Sequence, residues 1–129
     1  VARENADRIG IDNVDFERGD WCAALGDRRF DLIISNPPYI AVDDAHLHQG
    51  DLRFEPAMAL ASGPDGLDAI RQIVADAPSH LTTSAWLLVE HGWDQASRVR
   101  ELLVNAGFAD VQTWRDIAGR DRVSGGTRL

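Results

Sequence analysis

Four consecutive residues, Asn36, Pro37, Pro38 and Tyr39, have the types and the spacing to hold a nitrogen atom for reaction. Each proline fixes its own φ and lacks an N–H, and a residue that precedes a proline is restricted to extended backbone. The side-chain oxygen of Asn36 and the carbonyl oxygen of Pro37 are therefore two acceptors in a stiff frame, and they match the two hydrogens of an –NH2 group. Tyr39 can cover the flat face of that group. The motif predicts a site that binds a planar amine or amide nitrogen and directs its lone pair at an electrophile, without a metal or a nucleophilic side chain.

The residues around the motif decide how it is interpreted, because an Asn-Pro pair by itself is typical of a stiff turn. The nearly continuous apolar run of residues 30–35 predicts a buried strand of a parallel sheet, and the double proline ends that strand. Residues 40–64 then form an unusually long polar connection, which is typical of a functional loop. A rigid motif between a buried strand and such a loop favours a site over a turn.

Apolar periodicity along the rest of the chain predicts the elements that position this motif. Helices are predicted at residues 1–9, 67–77 and 99–106, and strands at residues 14–18, 30–35, 85–90, 109–115 and 122–129. Alternation of strands and helices is the pattern of an α/β fold, a sheet with helices on its faces. Ligands of such sheets bind beyond the carboxyl ends of the strands, and Asp20, Asn36 and Glu90 all fall at such ends. Glu90 could support the site or cap an element, and the sequence leaves both open.

The balance of charge argues against a nucleic acid as the direct substrate. The chain has 129 residues, the size of one domain, with 13 Lys and Arg against 21 Asp and Glu and a net charge of -8. Phosphate contacts supply much of the affinity of nucleic-acid-binding proteins, which usually carry a basic patch. No basic run is present here.

The cysteine, histidine and apolar residues argue against several other classes of protein: disulfide-bonded, metal-binding, membrane-spanning and secreted proteins. Cys22 is the single cysteine, so an internal disulfide is excluded, and the four histidines lack the spacing of metal ligands. No apolar run is long enough to span a membrane, and the first residues do not have the apolar core of a signal peptide. We therefore expect no metal site, no membrane segment and a cytoplasmic location.

The sequence resembles the HemK/PrmC family, the release-factor glutamine N5-methyltransferases. The resemblance covers nearly the whole chain and rests on residues 30–40 with the Asn-Pro-Pro-Tyr motif, Arg53-Phe54-Glu55-Pro56, Ala59-Leu60, Gly66-Leu67-Asp68, residues 87–93, Arg115-Asp116 and residues 119–122. The tetrapeptide alone is shared with DNA adenine and other N-methyltransferases. The Arg-Phe-Glu-Pro segment beside it is much more selective.

This resemblance implies a substrate, a cofactor and residue roles. The substrate would be the glutamine of the Gly-Gly-Gln motif in peptide-chain release factors, and the methyl donor would be S-adenosylmethionine. Asn36 and the Pro37 carbonyl would bind the glutamine amide, Pro38 and Tyr39 would shape its pocket, and Glu55 would order the loop. By the same resemblance, two residues would meet the adenine of the cofactor, which Asn36 also contacts. They are Asp20, as acceptor for the adenine amino group, and Trp21.

One departure from the family pattern concerns the methyl donor. A glycine-rich turn after the first strand and the acidic residue that holds the ribose are both missing, and residues 1–9 resemble the helix after the second strand. We therefore expect residues 1–129 to be the C-terminal part of a methyltransferase catalytic domain. This is a partial class I, Rossmann-like fold that lacks the first two strands. The uncovered strand edge would favour self-association, and the piece alone would be a weak or inactive enzyme.

Two other functions remain open from the sequence. A nucleic-acid amino-group methyltransferase, acting on adenine N6 or guanine N2, could use the same loop on a base flipped out of its helix. A non-catalytic interaction fragment is the second alternative.

Overall fold

In the part of the chain that the structure describes, four strands form one sheet, with helices in the connections. The computed structural model describes residues 1–41 and 62–129. The elements in chain order are α1 (Ala2–Ile9), β1 (Phe30–Ser35), α2 (Asp68–Asp76), β2 (Leu81–Glu90), α3 (Ala96–Asn105), β3 (Phe108–Arg115) and β4 (Asp121–Arg128), with short 3-10 helices at Trp21–Leu25 and Ala77–His80. The predicted α/β class is confirmed.

The strand order in the sheet is β1-β2-β4-β3. β1 and β2 are parallel, whereas β4 lies antiparallel between β2 and β3. Two parallel strands need a long crossover, and α2 supplies it between β1 and β2. The hairpin between β3 and β4 then places β4 between β3 and β2. A mixed sheet of this kind is common in doubly wound folds.

The core lies between the two central helices and β2. α2 contributes Ile70 and Ile73, α3 contributes Val99 and Leu103, and all four are almost fully buried. They pack against Leu81 and against the alternate residues Ala85, Leu87 and Val89 of β2. The buried residues of α2 and α3 recur at helical spacing, and from Ala85 onward those of β2 recur at every second residue. The periodicity of the sequence was therefore sufficient to predict both helices and this strand.

The strand predicted at residues 14–18 is wrong. Those residues alternate apolar and polar side chains, but within the described residues they pair with no strand and belong to no sheet. Alternation makes one face of a segment apolar, and a strand also needs a neighbour that satisfies its backbone groups.

The predicted strand at residues 30–35 exists, but it is not buried. β1 is the first strand in the sheet order, and the side chains of Leu32 and Ile34 are 48% and 70% exposed. A run that is apolar on both faces predicts cover on both faces, but Leu32 and Ile34 share one face of β1, and their exposure shows that this face is largely uncovered in the described part of the chain. The self-association expected at such an edge stays a prediction.

β2 begins four residues earlier than predicted, because Leu81 to Ser84 belong to it. Ser84 has a left-handed φ of 64°, and between the pairs Phe30–Leu81 and Leu32–Trp86 the strand β1 advances by two residues while β2 advances by five. The extra residues form an irregular bulge at the start of the strand. A bulge disrupts pairing locally, which is why the period-two pattern of β2 begins only at Ala85.

Candidate functional site

The Asn-Pro-Pro-Tyr loop (residues 36–39) lies at the carboxyl edge of the parallel strands. Ser35, the last residue of β1, is paired with Val89, so the residues that follow them, Asn36 and Glu90, are at the same edge of the sheet. Glu90 in turn is paired with Val123, which brings the start of β4 to that edge. The location that the sequence predicts for a ligand site is therefore the location of this loop.

The two ends of the loop differ in exposure. Pro37 is buried, Pro38 and Tyr39 are half-buried, and Asn36 is exposed. A buried proline next to an exposed asparagine gives the loop an anchored side and a presented side. Because Pro37 and Pro38 restrict the backbone on either side of them, the presented groups lose little further entropy when they bind a ligand.

Tyr39 is fixed to the end of β2 through its side chain. Its hydroxyl donates a hydrogen bond of 3.1 Å to Oε1 of Glu90. Burial, and next the negative charge of Glu90, raise the pKa of the Tyr39 hydroxyl above its usual value of 10.0. Tyr39 is therefore a neutral donor near pH 7, and Glu90 is a direct partner of the loop rather than a helix cap.

The backbone of Tyr39 is fixed by a residue that the sequence interpretation missed. Nε2 of Gln95 donates to the carbonyl of Tyr39 at 3.0 Å and to the carbonyl of Asp65 at 3.3 Å. Gly66, with φ of 77°, allows this approach, since a Cβ at that position would collide with the Tyr39 carbonyl oxygen. The loop, the turn before α2 and the start of α3 thus meet at one carboxamide.

The turn before α2 also satisfies the free N–H groups at the start of that helix. Oγ of Ser62 accepts from the N–H of Ala69 at 2.8 Å, and Oδ1 of Asp65 accepts from the N–H of Leu67 at 3.1 Å. The guanidinium of Arg71, hydrogen-bonded to Asp65, lowers the pKa of that carboxyl from 3.8 to about 2. Asp65 is therefore ionised at any ordinary pH, which suits the positive end of a helix dipole.

An open cleft of about 600 Å³ lies beside the loop. It is lined by Asp20, Trp21, Ala23, Pro38, Ser62, Gly63, Asp68, Ala69, Gln72 and Asp76. The side chain of Trp21 is 44% exposed, and its backbone has a φ of 50°, a left-handed conformation that non-glycine residues rarely adopt. Strained backbone of this kind clusters at ligand sites.

The structure places three of the predicted residues around this cleft: Asp20, Trp21 and Pro38. Asn36 is at the same edge of the sheet but does not line the cleft, and neither does Tyr39. Glu55, with the Arg-Phe-Glu-Pro segment, lies outside the described residues. The cofactor and acceptor halves of the predicted site are therefore adjacent and share Pro38 as a wall.

Several lining residues were not found from the sequence. Asp68, Gln72 and Asp76 line the cleft from α2, and in the sequence their spacing indicates only the polar side of an amphipathic helix. Gln95 carried a usable signal. Its Oε1 accepts from the N–H of Gly92, three residues earlier, at 2.8 Å; the bond resembles the reach-back contact of a capping box but closes the turn before α3, because Gln95 is itself the N-cap residue of that helix. A glutamine in that position indicates a tight turn before a helix, though not that the turn supports a site.

The described part of the chain contains neither a cluster of metal ligands nor a membrane-spanning helix. Across residues 1–41 and 62–129, no three histidine, cysteine or acidic side chains are grouped as a metal ion requires. None of the helices in those same ranges has the length and apolar character of a membrane crossing.

Comparison with known proteins gives a consistent set of relatives. No protein-family model matches the chain. It is 56% identical over 126 residues to the release factor glutamine methyltransferase of Xylella fastidiosa, and the match covers 98% of this chain and 46% of that protein. The enzyme of the same name from Pseudomonas aeruginosa is 53% identical over 124 residues, and that from Escherichia coli is 41% identical over 124 residues. The chain spans about half the length of these relatives.

A solved structure agrees with the sequence relatives. The release-factor-specific protein-(glutamine-N5) methyltransferase of Alicyclobacillus acidocaldarius is 32% identical and superposes with a TM-score of 0.51, over 83% of this chain and 53% of that one. The fold is accordingly part of a class I methyltransferase fold, as the resemblance implied. By sequence and by fold, the chain is homologous, over nearly all of its own length, to about half of a release factor glutamine methyltransferase.

Proposed function

We propose that this protein transfers a methyl group from S-adenosylmethionine to the side-chain amide of a glutamine in a peptide-chain release factor. The observation that carries the proposal is the position of the Asn-Pro-Pro-Tyr loop. It lies at the carboxyl edge of the parallel strands and next to a cleft lined by Asp20 and Trp21, in a chain 56% identical to a release factor glutamine methyltransferase.

The loop supplies what an amide nitrogen needs in order to react. The lone pair of an amide is delocalised, so the nitrogen is a weak nucleophile. The side-chain oxygen of Asn36 and the carbonyl of Pro37 would accept its two N–H groups, and both contacts strengthen as positive charge develops on the nitrogen. Acceptors of this kind favour the transition state over the ground state, and no side chain has to attack.

The open cleft has the chemistry to hold the methyl donor. An exposed indole, that of Trp21, can stack on a purine, and the carboxylate of Asp20 can accept from its amino group. When bound, the cofactor supplies a methyl group on a sulfonium. The methyl group would pass from that sulfonium to the amide nitrogen as the S–C bond breaks, and the proton lost by the nitrogen would go to solvent.

Pro38 gives the two halves a fixed relation. It belongs to the acceptor loop and also lines the cleft, so one rigid residue would border both the methyl donor and the amide. Holding two reactants in line is a large source of rate enhancement, because their translational and rotational freedom is lost on binding rather than in the reaction. We extend the proposal to Glu55 as a residue that orders the loop, and to residues 1–129 as the C-terminal part of a catalytic domain.

The test is methyl transfer from labelled S-adenosylmethionine by the protein expressed from its complete gene. We expect label on the Gly-Gly-Gln glutamine of a release factor and none on a release factor whose glutamine is replaced. Asn36→Ala should lower kcat by about 100-fold or more, the loss typical of one oriented group in the transition state.

Two controls make this experiment specific. Asn36 is exposed, so its replacement should leave the unfolding free energy nearly unchanged, and Asn105→Ala, at the exposed end of α3, should leave both activity and stability unchanged. Double-stranded DNA and RNA serve as competing acceptors. Transfer to a nucleic acid and not to the release factor would exclude the proposed substrate, and transfer to none of them would leave the chain as a non-catalytic module.

A further inference from the structure

We propose that Gln95 is the positioning residue of the acceptor loop: it does not touch the substrate, and it sets the place of Tyr39 through the Tyr39 carbonyl. This inference rests on the proposed function, because it assigns a role in the same reaction.

The carboxamide of Gln95 is buried and uses both of its ends. The residue is 5% exposed, its Nε2 donates to the carbonyls of Tyr39 and Asp65, and its Oε1 accepts from the N–H of Gly92. Two donors and an acceptor on one short planar group are a property of an amide alone among the side chains. A carboxylate at this place would face two carbonyl oxygens, and a hydrocarbon would leave all three backbone groups without this partner.

The loop depends on such a donor because of its own composition. Pro37 and Pro38 have no N–H, so two of its four residues cannot bind the surrounding protein through a backbone donor. What remains for fixation is the N–H groups of Asn36 and Tyr39, the backbone carbonyls and the side chains of the same two residues. Gln95 binds the carbonyl of Tyr39, Glu90 binds its hydroxyl, and the residue is thereby held from two directions.

Gln95 is itself held by a chain of hydrogen bonds that reaches across the sheet. Its backbone N–H donates to the carbonyl of Gly92 at 3.0 Å, so the two residues are joined by reciprocal bonds. The same carbonyl lies 2.8 Å from Nδ1 of His91, and Nε2 of that ring lies 2.8 Å from Oγ of Ser124. Ser124 and His91 are fully buried.

The direction of each bond in this chain follows from its first member. A carbonyl can only accept, so Nδ1 of His91 carries the proton, and in the neutral ring Nε2 must accept from Ser124. Ser124 then accepts from Thr113, at 2.6 Å, and Thr113 accepts from Arg100, at 2.9 Å. The hydroxyls of Thr113 and Ser124 each donate once and accept once. These bonds hold the ring of His91, which in turn holds the Gly92 carbonyl to which Gln95 is bonded.

The structure thus links a helix on the sheet to the acceptor loop without a gap. Arg100 belongs to α3, Thr113 to β3, Ser124 to β4 and His91 follows β2. A rigid scaffold behind a reacting group is what holds it within the small tolerance that catalysis requires. Gln95 is the last member of the chain before the loop, so its replacement tests the link at its most direct point.

Gln95→Glu is the decisive variant, and Gln112→Glu is its matched control. Both make the same chemical change, but Gln112 is an exposed residue of β3. In the protein expressed from its complete gene, we expect Gln95→Glu to lower kcat for methyl transfer about 100-fold, the effect of a reactant misplaced by roughly 1 Å, with a much smaller change in KM for the release factor. Gln112→Glu should change neither.

A second readout reports the place of the loop without any reaction. The N–H of Ser62 donates to the carbonyl of Ile40, the residue after Tyr39, at 2.8 Å. If Gln95 positions the loop, hydrogen exchange of the Ser62 amide should be at least about ten times faster in Gln95→Glu and unchanged in Gln112→Glu. Gln95→Met, which keeps the length without a charge, provides the same comparison if the glutamate variant does not fold.

The outcomes separate this inference from the proposed function. An unchanged kcat in Gln95→Glu would overturn it, and so would a loss of activity that only follows a loss of global stability, with exchange faster throughout the chain. If the wild-type protein methylates no release factor but the Ser62 amide still exchanges faster in the variant, the proposed function fails while the control of the loop by Gln95 stands.

Discussion

Tyr39 illustrates at the scale of one residue how the site is stabilised. Its ring packs on the core, its hydroxyl binds Glu90 and its carbonyl binds Gln95, so three different forces act on one side chain and its backbone. The sequence predicted that Tyr39 would cover a planar group. It did not predict these partners, because residues 90 and 95 lie more than fifty positions away along the chain.

The Tyr39 hydroxyl should titrate above its ordinary value, and Glu90 should be part of the reason. Tyr39 is the only tyrosine of the 129 residues, so the rise of tyrosinate absorbance with pH reports it alone. Burial and the carboxylate of Glu90 both raise its pKa above 10.0, because burial disfavours the charged tyrosinate and the carboxylate repels it. We expect Glu90→Gln to lower the midpoint toward 10.0.

Glu101→Gln is the control for this titration, because Glu101 is an exposed acid on α3 away from the ring. It should leave the midpoint of Tyr39 where the wild-type protein has it. A midpoint that moves equally in both variants would mean that general charge, and not the contact between Tyr39 and Glu90, raises the pKa.

At the scale of elements, the turn before α2 is shaped by how closely it approaches the loop. Gly66 and Gly119 have nearly the same φ, 77° and 78°, but their surroundings differ. A Cβ at Gly66 would meet the Tyr39 carbonyl and lie 2.9 Å from Nε2 of Gln95, whereas a Cβ at Gly119 would meet no atom within 4 Å. The two glycines therefore separate the cost of a left-handed backbone from the cost of a collision.

Replacement of each glycine by alanine tests that separation. Gly119→Ala should lower the unfolding free energy by about 1–2 kcal/mol, the cost of the left-handed conformation alone. Gly66→Ala should lose about 1–3 kcal/mol more, because a Cβ forced into a filled space displaces its neighbours. Denaturant unfolding of both variants measures the difference. Equal losses would show that the contact with the loop can be relaxed at no cost.

At the scale of the whole molecule, the sequence was a good guide to elements and a poor guide to their environment. Helices α2 and α3 and strand β2 were predicted because one periodic apolar face of each is buried in the core. Residues 14–18 alternate in the same way but pair with no strand in the described part of the chain, and the apolar run of β1 lies at an edge. Periodicity records which face of a segment is apolar, but it carries no information about which segment lies next to it.

The residues of the site differ in the same way in whether the sequence could predict them. The Asn-Pro-Pro-Tyr loop could be found because its chemistry is local, contained in four adjacent residues. Gln95, His91 and Ser124 could not, since their role depends on hydrogen bonds between segments far apart in the chain. Residues that hold other residues have ordinary types, and only the geometry identifies them.

The buried chain of hydrogen bonds across the sheet should make the stability of the protein depend on the protonation of His91. Burial of the ring, more than any other factor, lowers its pKa below 6.5, and the nearby cations Arg122 and Arg100 act in the same direction. The bond to the Gly92 carbonyl and the charge of Asp121 oppose them. In a protonated ring Nε2 would become a donor, so Ser124 would have to accept from it and donate to Thr113 instead. Thr113 would then face two donors, Ser124 and Arg100.

The sign of the effect follows from the lowered pKa. Below pH 6.5 the unfolded ring binds a proton that the folded ring does not, so the unfolding free energy should fall as the pH decreases from that value toward the folded pKa, by at most about 1.4 kcal/mol per pH unit. Asp65 and Asp116 have lowered pKa values, and their contribution is lost only below their ordinary value of 3.8. The loss of stability from His91 therefore begins at a higher pH than the loss from these two carboxyls.

Denaturant unfolding between about pH 7.5 and pH 5.5 measures the slope that belongs to the histidine. His91→Gln should reduce this slope, whatever it does to the stability at neutral pH, because the titrating ring is gone. The slope is compared with that of His80→Gln, the matched change at a ring whose Nδ1 lies 3.1 Å from the carbonyl of Arg28 and which is no part of the hydrogen-bond network across the sheet. If His91→Gln retains the full slope, the buried ring does not control stability in this range, and the network behind the acceptor loop tolerates the charge.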